Sequence, residues 1–189
     1  MPTVRKIASP NGPTTNGHAV IMHTATDTYD LPQGWAWTTI DEITATITKV
    51  APSIHPDKEF GYLDISSIDN TTYRVVEPKS YLGKDAPSRA RQLVQGGDVL
   101  FSTVRTYLKN IALVPDTYDG QVGSTGFAVL RGKAGISSKY LFHFCLSDEF
   151  LADMAELQRG TSYPAVRDSD VQEHRIPLPS QVKGFSVGR

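Results

Sequence analysis

The chain contains 189 residues, with 19 basic and 20 acidic side chains and one cysteine. This length is sufficient for one domain with a substantial core, and the balanced charge excludes a protein that is strongly basic over its whole surface. With a single cysteine, Cys145, neither an intrachain disulfide nor a cysteine-rich zinc site is possible. The longest apolar run near the N-terminus, at 19–22, is too short for a signal sequence or a membrane span, so we expect a cytoplasmic protein without membrane association.

Composition divides the chain into three parts. Residues 1–30 are rich in Thr, Pro, Asn and Gly and contain few large apolar side chains, so we expect a flexible leader. A folded domain is expected at 31–179. Gly184 and Gly188 then interrupt residues 180–189, which predicts a short C-terminal tail without a helix.

Periodicity predicts the elements of the domain in chain order. Trp35 and Trp37 alternate with small residues, which predicts a strand with both rings on one face, as a core anchor or, alternatively, for stacking on a nucleotide base. Further strands are predicted at 44–50, 62–65, 73–76, 99–104, 111–114 and 127–130, separated by segments rich in Pro and Gly at 52–56, 83–87 and 115–126. Helices are predicted late, at 140–146 and at 148–157, the second capped by Ser147. Many strands followed by a late helical pair indicate a single α+β domain with a twisted mixed β-sheet and a few helices.

The segment at 96–110, GGDVLFSTVRTYLKN, combines an apolar strand with a run of hydrogen-bond donors directly after it. Strand ends are where a rigid scaffold presents functional side chains, and these donors suit phosphates and the acceptor edge of guanine. We predict Arg105 as a base contact and Lys109 as a phosphate contact, although an ordinary strand with a solvated basic end remains the alternative. The nucleic-acid-binding candidates of this segment are Ser102, Thr103, Arg105, Tyr107 and Lys109.

Charge is distributed unevenly along the chain. Residues 79–109 contain six basic side chains against two acidic ones, whereas acidic side chains outnumber basic ones at 145–175. A basic face opposite an acidic face suits a protein that binds phosphate on one side. Lys84, Arg89 and Arg91 of the basic stretch are therefore further candidates, although chance clustering of surface charge explains the pattern as well.

Two polar loops complete the set of DNA-binding candidates. The glycines of GQVGSTG at 120–126 allow backbone N–H groups to converge on an anion, or they form a sharp turn; Ser124 and Thr125 are the candidates here. The loop QRGTSY at 158–163 contains donors for adenine, guanine and phosphate, although a helix C-cap at Gly160 and a polar turn explain it equally. Its candidates are Gln158, Arg159, Thr161, Ser162 and Tyr163.

Catalytic sites have less support in the sequence. Asp57, Glu77 and Lys79 imitate the PD…ExK spacing of nucleases whose carboxylates bind Mg²⁺, but Pro78 falls within the strand that should present them. The Asn/Asp-Pro-Pro-aromatic motif of DNA methyltransferases is missing, and the five histidines show no metal-ligand spacing. We therefore expect a non-catalytic protein that holds neither a cofactor nor a metal.

Six segments occur in an order and spacing that resemble one family. They are LPQGWAWTTIDEI, YLDISSID, GDVLFSTVRTYLKN, GSTGFAVLR, QRGTSYPAV and IPLPS, and together they extend over about 31–180. The chain resembles a target-recognition domain of the specificity (S) subunit of type I restriction–modification systems. The resemblance implies that the domain reads one half of a split double-stranded DNA target, while methyltransferase (M) and restriction (R) subunits carry the chemistry. It also implies that Ser124, Thr125 and the loop at 158–163 lie near DNA.

The chain departs from this family after IPLP. Specificity subunits continue there into a helix that forms a coiled-coil spacer and docks the M subunits, but residues 180–189 contain no heptad pattern. We therefore expect a monomer, from a truncated or half-length form, whose assembly with M subunits is in doubt. A vestigial or protein-interaction domain without useful DNA binding remains a third possibility beside DNA recognition and the nuclease.

Overall fold

The computed structural model describes residues 30–179. The predicted leader, apart from Asp30, and the predicted tail at 180–189 lie outside the described residues. Within 30–179 the chain forms twelve strands and four α-helices, joined in places by short 3₁₀ turns. The strands are β1 (Trp35–Thr39), β2 (Thr44–Ala45), β3 (Glu59–Leu63), β4 (Ile68–Asp69), β5 (Arg74–Val75), β6 (Lys79–Leu82), β7 (Ala90–Leu93), β8 (Val99–Ser102), β9 (Ile111–Leu113), β10 (Val122–Ser124), β11 (Phe127–Gly132) and β12 (Arg175–Pro179). The helices are α1 (Ile40–Ile43), α2 (Ser138–Cys145), α3 (Asp148–Glu156) and α4 (Asp168–Gln172).

The strands of the described residues form three sheets. A six-stranded sheet has the order β2-β11-β8-β9-β5-β4, and a four-stranded sheet has the order β6-β3-β10-β7. β1 and β12 pair as an antiparallel two-stranded ribbon. Each of the two larger sheets contains one parallel pair, β5 with β9 and β3 with β10, among antiparallel neighbours. The mixed α+β architecture predicted from the sequence is therefore confirmed.

Strand β8 lies at the centre of the hydrophobic core. Alternation along the strand places Val99 and Phe101 on the face that packs against the helices and Leu100 on the opposite face. All three side chains are fully buried, and the Phe101 ring meets the Phe150 ring of α3 edge to face at 5.3 Å between centroids. The strand predicted from this apolar run is confirmed, although it ends at Ser102 rather than at residue 104.

The late helical pair is confirmed with small shifts of its bounds. The Ser147 hydroxyl accepts the Phe150 N–H at 3.3 Å and caps α3, as predicted. α2 begins at Ser138, two residues earlier than predicted, because Ser137 supplies its N-cap. Cys145 at the end of α2 is buried, and this burial raises the pKa of its thiol to about 12, as expected for an inert core cysteine. Among residues 30–179, no helix has the length and apolar character required to cross a bilayer.

Several sequence predictions about strands are wrong. The strand predicted at 44–50 ends at Ala45, and Lys49 makes only an isolated bridge to Gln92. The two tryptophans do not anchor the core: Trp35 is 38% exposed, and the half-buried Trp37 ring lies 4.8 Å from the guanidinium carbon of Arg175. They lie on the two-stranded β1–β12 ribbon, which buries less side-chain surface than a sheet face that packs on the core. Strands β4, β6, β7, β10 and β12 were not predicted from the sequence.

Candidate nucleic-acid interface

The two larger sheets end together at one edge, where many of the predicted donors lie. β8 ends at Ser102, which pairs with Phe127 at the start of β11. β10 ends at Ser124, which pairs with Ala90 at the start of β7. Only residues 125–126 separate the end of β10 from the start of β11. The strand ends of the four-stranded sheet therefore lie next to the strand ends of the six-stranded sheet, and we call this row of strand ends the edge.

Backbone hydrogen bonds join the loops along this edge. The Thr125 N–H donates to the Arg89 carbonyl oxygen at 2.9 Å, and the Thr103 N–H donates to the Gly126 carbonyl oxygen at 3.0 Å. The segment before β7, the turn between β10 and β11, and the end of β8 are thereby held in one row. Such bonds fix the positions of loops that have no regular secondary structure of their own.

The loop that follows α3 is attached to the same row. The Val166 N–H donates to the Thr103 carbonyl oxygen at 2.9 Å, and the Arg105 N–H donates to the Pro164 carbonyl oxygen at 2.7 Å. Four loops therefore meet at this edge of the protein. They bring together a set of exposed or half-buried side chains that we call the donor face: Arg89, Arg105, Thr125, Ser162 and Tyr163.

Arg105 and Tyr163 form a preorganised pair at the centre of the donor face. The guanidinium carbon of Arg105 lies 4.9 Å from the centroid of the Tyr163 ring, and its Nη2 donates to the Ser162 carbonyl oxygen at 3.4 Å. Arg105 has the left-handed backbone conformation (φ 49°), which costs a residue other than glycine roughly 1–2 kcal/mol. Its Nε atom is buried and has no hydrogen-bond partner in the described part of the chain. Tyr163 is 72% exposed, so the pair presents a planar cation and an aromatic face to solvent.

The turn after Arg105 projects further candidates from the same side of β8. Arg105 and Lys109, both left-handed, bracket a 3₁₀ turn at Thr106–Leu108. Tyr107 on this turn is 58% exposed. The Lys109 Nζ lies 3.9 Å from an Asp148 carboxylate oxygen, and a pair this exposed and this long restrains the ammonium group only weakly.

The hydroxyl groups of three candidate residues form hydrogen bonds with the backbone of these loops. Ser102 donates to the Val104 carbonyl oxygen at 2.9 Å, and Thr103 donates through Oγ1 to the Gly126 carbonyl oxygen at 3.1 Å. The Ser124 hydroxyl accepts the Gly126 N–H at 3.1 Å. All three side chains are buried, so their visible role is to fix the loops, and direct DNA contact by them stays a prediction.

The loop at 158–163 is divided between the donor face and an internal ion pair. Arg159 binds Asp170 of α4, with Nη1 at 2.5 Å from Oδ2 and Nη2 at 3.4 Å from Oδ1. Gln158 donates to the Ala155 carbonyl oxygen at 3.3 Å, and Thr161 is exposed. Of the alternative explanation of this loop, the C-cap at Gly160 is wrong, because α3 ends at Glu156 and Gly160 (φ 95°) belongs to the polar turn.

Two basic candidates are positioned differently from the rest. Lys84 lies in a 3₁₀ turn, and its backbone N–H donates to the Pro56 carbonyl oxygen at 2.9 Å. That turn follows Leu82, which pairs with Glu59 at the end of the four-stranded sheet opposite to the donor face. Arg91 is exposed on β7, and its Nε donates to the Ser88 carbonyl oxygen at 2.9 Å. The structure therefore brings Arg89 to the donor face and separates Lys84 from it.

Gln92, which sequence analysis missed, holds the turn that carries Thr125. Its side chain is 2% exposed, and Nε2 donates to the carbonyl oxygens of Ser124 at 2.8 Å and Phe127 at 2.9 Å. The Lys49 ammonium donates to Oε1 of the same side chain at 2.9 Å. A polar residue at an inward position of the alternating segment at 90–94 was the available sequence signal.

A buried ion pair fixes the start of β8. Arg131 donates from Nε and Nη2 to the two carboxylate oxygens of Asp98, each at 2.8 Å, and Nη2 also donates to the Leu93 carbonyl oxygen at 3.0 Å. Asp98 is fully buried and also accepts the Gln95 N–H at 2.8 Å. The hydrogen bonds that Arg131 donates to Asp98 raise the pKa of the guanidinium group further above its usual value. The Gly-Gly-Asp turn before β8 is thereby tied to β11.

The residues of the nuclease hypothesis do not form a site. Asp57 lies just before the first residue of β3, Glu59. Lys79 pairs with Tyr62 of the same strand, which is three residues, or about 10 Å, beyond Glu59. The Lys79 ammonium instead donates to Asp64 at 2.9 Å. Within residues 30–179, no group of three or more His, Cys, Asp or Glu residues is arranged to hold a metal ion.

Comparison with known proteins identifies related structures. No family model matches the chain. The crystal structure of the HsdS subunit from Thermoanaerobacter tengcongensis is 48% identical with a TM-score of 0.74, over 81% of this chain and 40% of that chain. A structure that addresses complex assembly and conformational transition of the type I R-M system is also 48% identical, with a TM-score of 0.75, over 80% of this chain and 39% of that one.

A curated relative points in the same direction. The specificity subunit of the type I restriction enzyme HindI from Haemophilus influenzae is 28% identical over 102 residues, which are 52% of this chain and 22% of that protein. The chain spans less than half the length of each relative named here.

Proposed function

The chain belongs to the family of type I specificity subunits, and from this we propose that it reads one half-site of a split double-stranded DNA target through its donor face. The main supporting observation is that backbone hydrogen bonds join the four loops that carry Arg89, Arg105, Thr125, Ser162 and Tyr163. Guanidinium groups bind guanine or phosphate bidentately, and hydroxyl groups bind phosphate oxygens or base edges.

Within this face, Arg105 is the proposed base reader. Its guanidinium is held against Tyr163 and the Ser162 carbonyl group, so less side-chain entropy is lost when it binds a base. Nη2 uses one N–H for the Ser162 carbonyl oxygen, so the other N–H groups of the two Nη atoms remain for guanine O6 and N7. Lys109, Tyr107 and Arg89 flank this position and are proposed to bind the phosphate backbone, which sets register and adds affinity without reading sequence.

The domain itself is proposed to be non-catalytic. In this proposal the M and R subunits of a complete type I system methylate and cleave the DNA, while this chain supplies target recognition. Its cellular location is then the cytoplasm, where the substrate DNA of such a system is found.

Fluorescence anisotropy with labelled duplex DNA tests this function. The purified chain is expected to bind a random-sequence duplex with a dissociation constant in the micromolar range or weaker, with affinity that falls as salt rises. A half-site enriched by selection from a random pool should compete better than a scrambled duplex of equal length and composition. Binding that is undetectable, or that is insensitive to both salt and sequence, would favour the vestigial-domain alternative.

Incubation with a methyl donor, Mg²⁺ and plasmid tests the non-catalytic assignment. The DNA should remain unmethylated and uncut. Nicking that is lost in Glu77→Ala would revive the nuclease hypothesis despite the separation of Asp57 from Lys79.

A further inference from the structure

An open cleft of about 340 Å³ lies next to the donor face, at the end of the four-stranded sheet. Its lining includes Asp64, Ser66, Lys79, Arg89 and Ser124. Of these, Lys79 begins the basic stretch at 79–109, and none of Asp64, Ser66 and Lys79 was among the DNA-binding candidates named from the sequence. The cleft therefore extends the basic surface beyond the residues assigned above.

The topology of the sheet explains why these residues meet. Lys79 begins β6 opposite Tyr62, and Asp64 directly follows the end of β3. Arg89 directly precedes β7, and Ser124 ends β10. All four strands thus deliver a residue to the same end of the sheet. Lys79 and Arg89 come from its two outer strands, so their long side chains enter the cleft from opposite sides.

Lys79 is fixed within the cleft by a small polar network. Its ammonium donates to Asp64 Oδ2 at 2.9 Å and to Ser66 Oγ at 2.8 Å. A lysine ammonium has three N–H donors, so one remains for a ligand. The Asp64 Oδ1 atom accepts the Ser66 N–H at 2.9 Å and the Ser66 hydroxyl at 2.6 Å, which fixes the carboxylate in turn. Burial alone raises the pKa of Asp64, but the hydrogen bonds from Ser66 and Lys79 outweigh it and keep the pKa below its usual value.

Arg89 supplies the second cation. Its backbone carbonyl oxygen accepts the Thr125 N–H. Its guanidinium group lies close to Gly126, with one nitrogen 3.7 Å from the position that a Cβ atom on this glycine would occupy. Within residues 30–179, no hydrogen bond or ion pair occupies this guanidinium group. With Lys79 and Asp64, the cleft carries two positive charges and one negative charge.

We propose that this cleft binds one backbone phosphate of the DNA duplex, with Arg89 and Lys79 as its cationic ligands and Asp64 as the group that positions Lys79. The proposal rests on the DNA-binding function proposed above. The planar arginine fork matches two phosphate oxygens, and the lysine adds a point charge from the other side. A phosphate held here, next to the turn of Thr125, sets the register at which Arg105 meets the bases.

The salt dependence of duplex binding tests the proposal. For the double variant Lys79→Ala/Arg89→Ala, the log–log salt slope should become shallower by about 0.9, as expected for the loss of one phosphate contact, and all sequences should lose the same affinity factor. Lys58→Ala, an exposed lysine at the opposite end of the same sheet, should keep the wild-type slope. A double variant with the wild-type slope and affinity would overturn the proposal while leaving DNA recognition intact.

Asp64→Asn distinguishes a phosphate from a base at this cleft. Asparagine keeps the acceptor for the Ser66 N–H, so the local turn is retained while one negative charge is removed. The amide nitrogen in place of Oδ2 releases Lys79 without touching a base, so affinity should change by the same factor for all duplexes. Weaker binding with altered sequence preference would show that Asp64 accepts from a base amino group, and this would overturn the proposal.

A probe smaller than DNA separates the cleft from the proposed function. Dimethyl phosphate, titrated into the ¹⁵N-labelled chain, should shift the amide resonances of Ser66, Arg89 and Thr125 saturably. The shifts should disappear in the double variant and persist in Lys58→Ala. Absence of saturable shifts in the folded wild-type chain would show that the cleft does not bind phosphate, and this would overturn the proposal. If these shifts occur but no duplex binds, the proposed function fails and the phosphate cleft stands.

Discussion

The guanidinium group of Arg105 is held against the ring of Tyr163, so the end of β8 and the loop after α3 share one contact at the donor face. Neither residue is positioned by its own element alone. The backbone bond from Arg105 to Pro164 brings the two loops together, and the side-chain stacking then orients the cation. Substitutions of either residue should therefore affect DNA recognition more than folding.

Arg105→Ala should weaken binding to the cognate half-site by roughly 1–3 kcal/mol and relax the preference at one base pair. Arg105→Lys should not restore recognition, because lysine lacks the planar fork. Anisotropy titrations against the cognate duplex and its single-base variants measure both effects. Lys109→Ala provides the contrast, since loss of a phosphate contact should weaken all sequences alike. Equal, sequence-independent losses in both variants would contradict the assignment.

Tyr163→Phe should bind DNA almost as well as the wild type, whereas Tyr163→Ala should lose about 0.5–1 kcal/mol, because the aromatic face rather than the hydroxyl holds Arg105. The same titrations measure this difference. A loss in Tyr163→Phe as large as that in Tyr163→Ala would instead assign the hydroxyl to a DNA contact.

Gln92→Leu should lower the free energy of unfolding by roughly 1–3 kcal/mol for each carbonyl group left without a donor, since both Ser124 and Phe127 lose theirs. Urea denaturation measures the loss. Gln95→Leu, on an exposed glutamine of the neighbouring loop, is the matched control and should change stability by less than about 0.5 kcal/mol. Similar values for the two variants would mean that Gln92 does not hold the turn.

Asp98→Asn should destabilise the protein by about 3–5 kcal/mol, because it leaves the Arg131 guanidinium without its charged partner in a largely buried setting. Thermal and urea unfolding measure this change. Asp148→Asn removes one charge from the exposed pair with Lys109 and should change stability by about 1 kcal/mol or less. A loss no larger for Asp98→Asn than for this control would show that the buried pair does not stabilise the start of β8.

Asp170→Asn should reduce stability at neutral pH and have a diminishing effect as the pH falls. Burial raises the pKa of Asp170, but hydrogen bonds from Arg159 and from the Arg167 N–H outweigh it and lower the pKa below 3.8. A carboxyl group with a lowered pKa contributes its stability above the unfolded pKa, and the contribution is lost as the pH falls through the folded value. The difference should be roughly 1 kcal/mol or less, because the pair is partly exposed and screened. Urea unfolding of both proteins from neutral pH down to below 3.8 measures it, and a constant difference would contradict the ion-pair origin.

Local signals accounted for the elements that sequence analysis predicted well. The apolar run of β8 and the Ser147 cap of α3 depend on residues close together in the chain, so their patterns are legible. β10 lies in a glycine-containing segment and is a strand because Val122 pairs with Tyr62 on one side and Leu93 on the other. Those partners are distant in sequence, so no local pattern could predict them.

The candidate site shows the same division. The donors after β8 were found because they follow a strand directly, whereas the burial of Ser102 and Ser124 depends on how separate loops pack. A hydroxyl that binds a phosphate and one that binds a carbonyl group have the same letter in the sequence. Lys79 was placed in a nuclease motif because its spacing suggested one, and only the pairing of β3 with β6 shows that its carboxylate partner is Asp64.

The two hydrogen bonds from the Gln92 side chain bear on how target preference can be changed. The turn at 125–126 is held through the carbonyl groups of Ser124 and Phe127, and none of these bonds uses the exposed side chain of Thr125. The fold therefore places little demand on which side chain occupies this position. Exchanging Thr125 together with Ser162 and Tyr163 in a combinatorial library should yield folded proteins with new half-site preferences, so the scaffold offers a small, separable set of positions for retargeting.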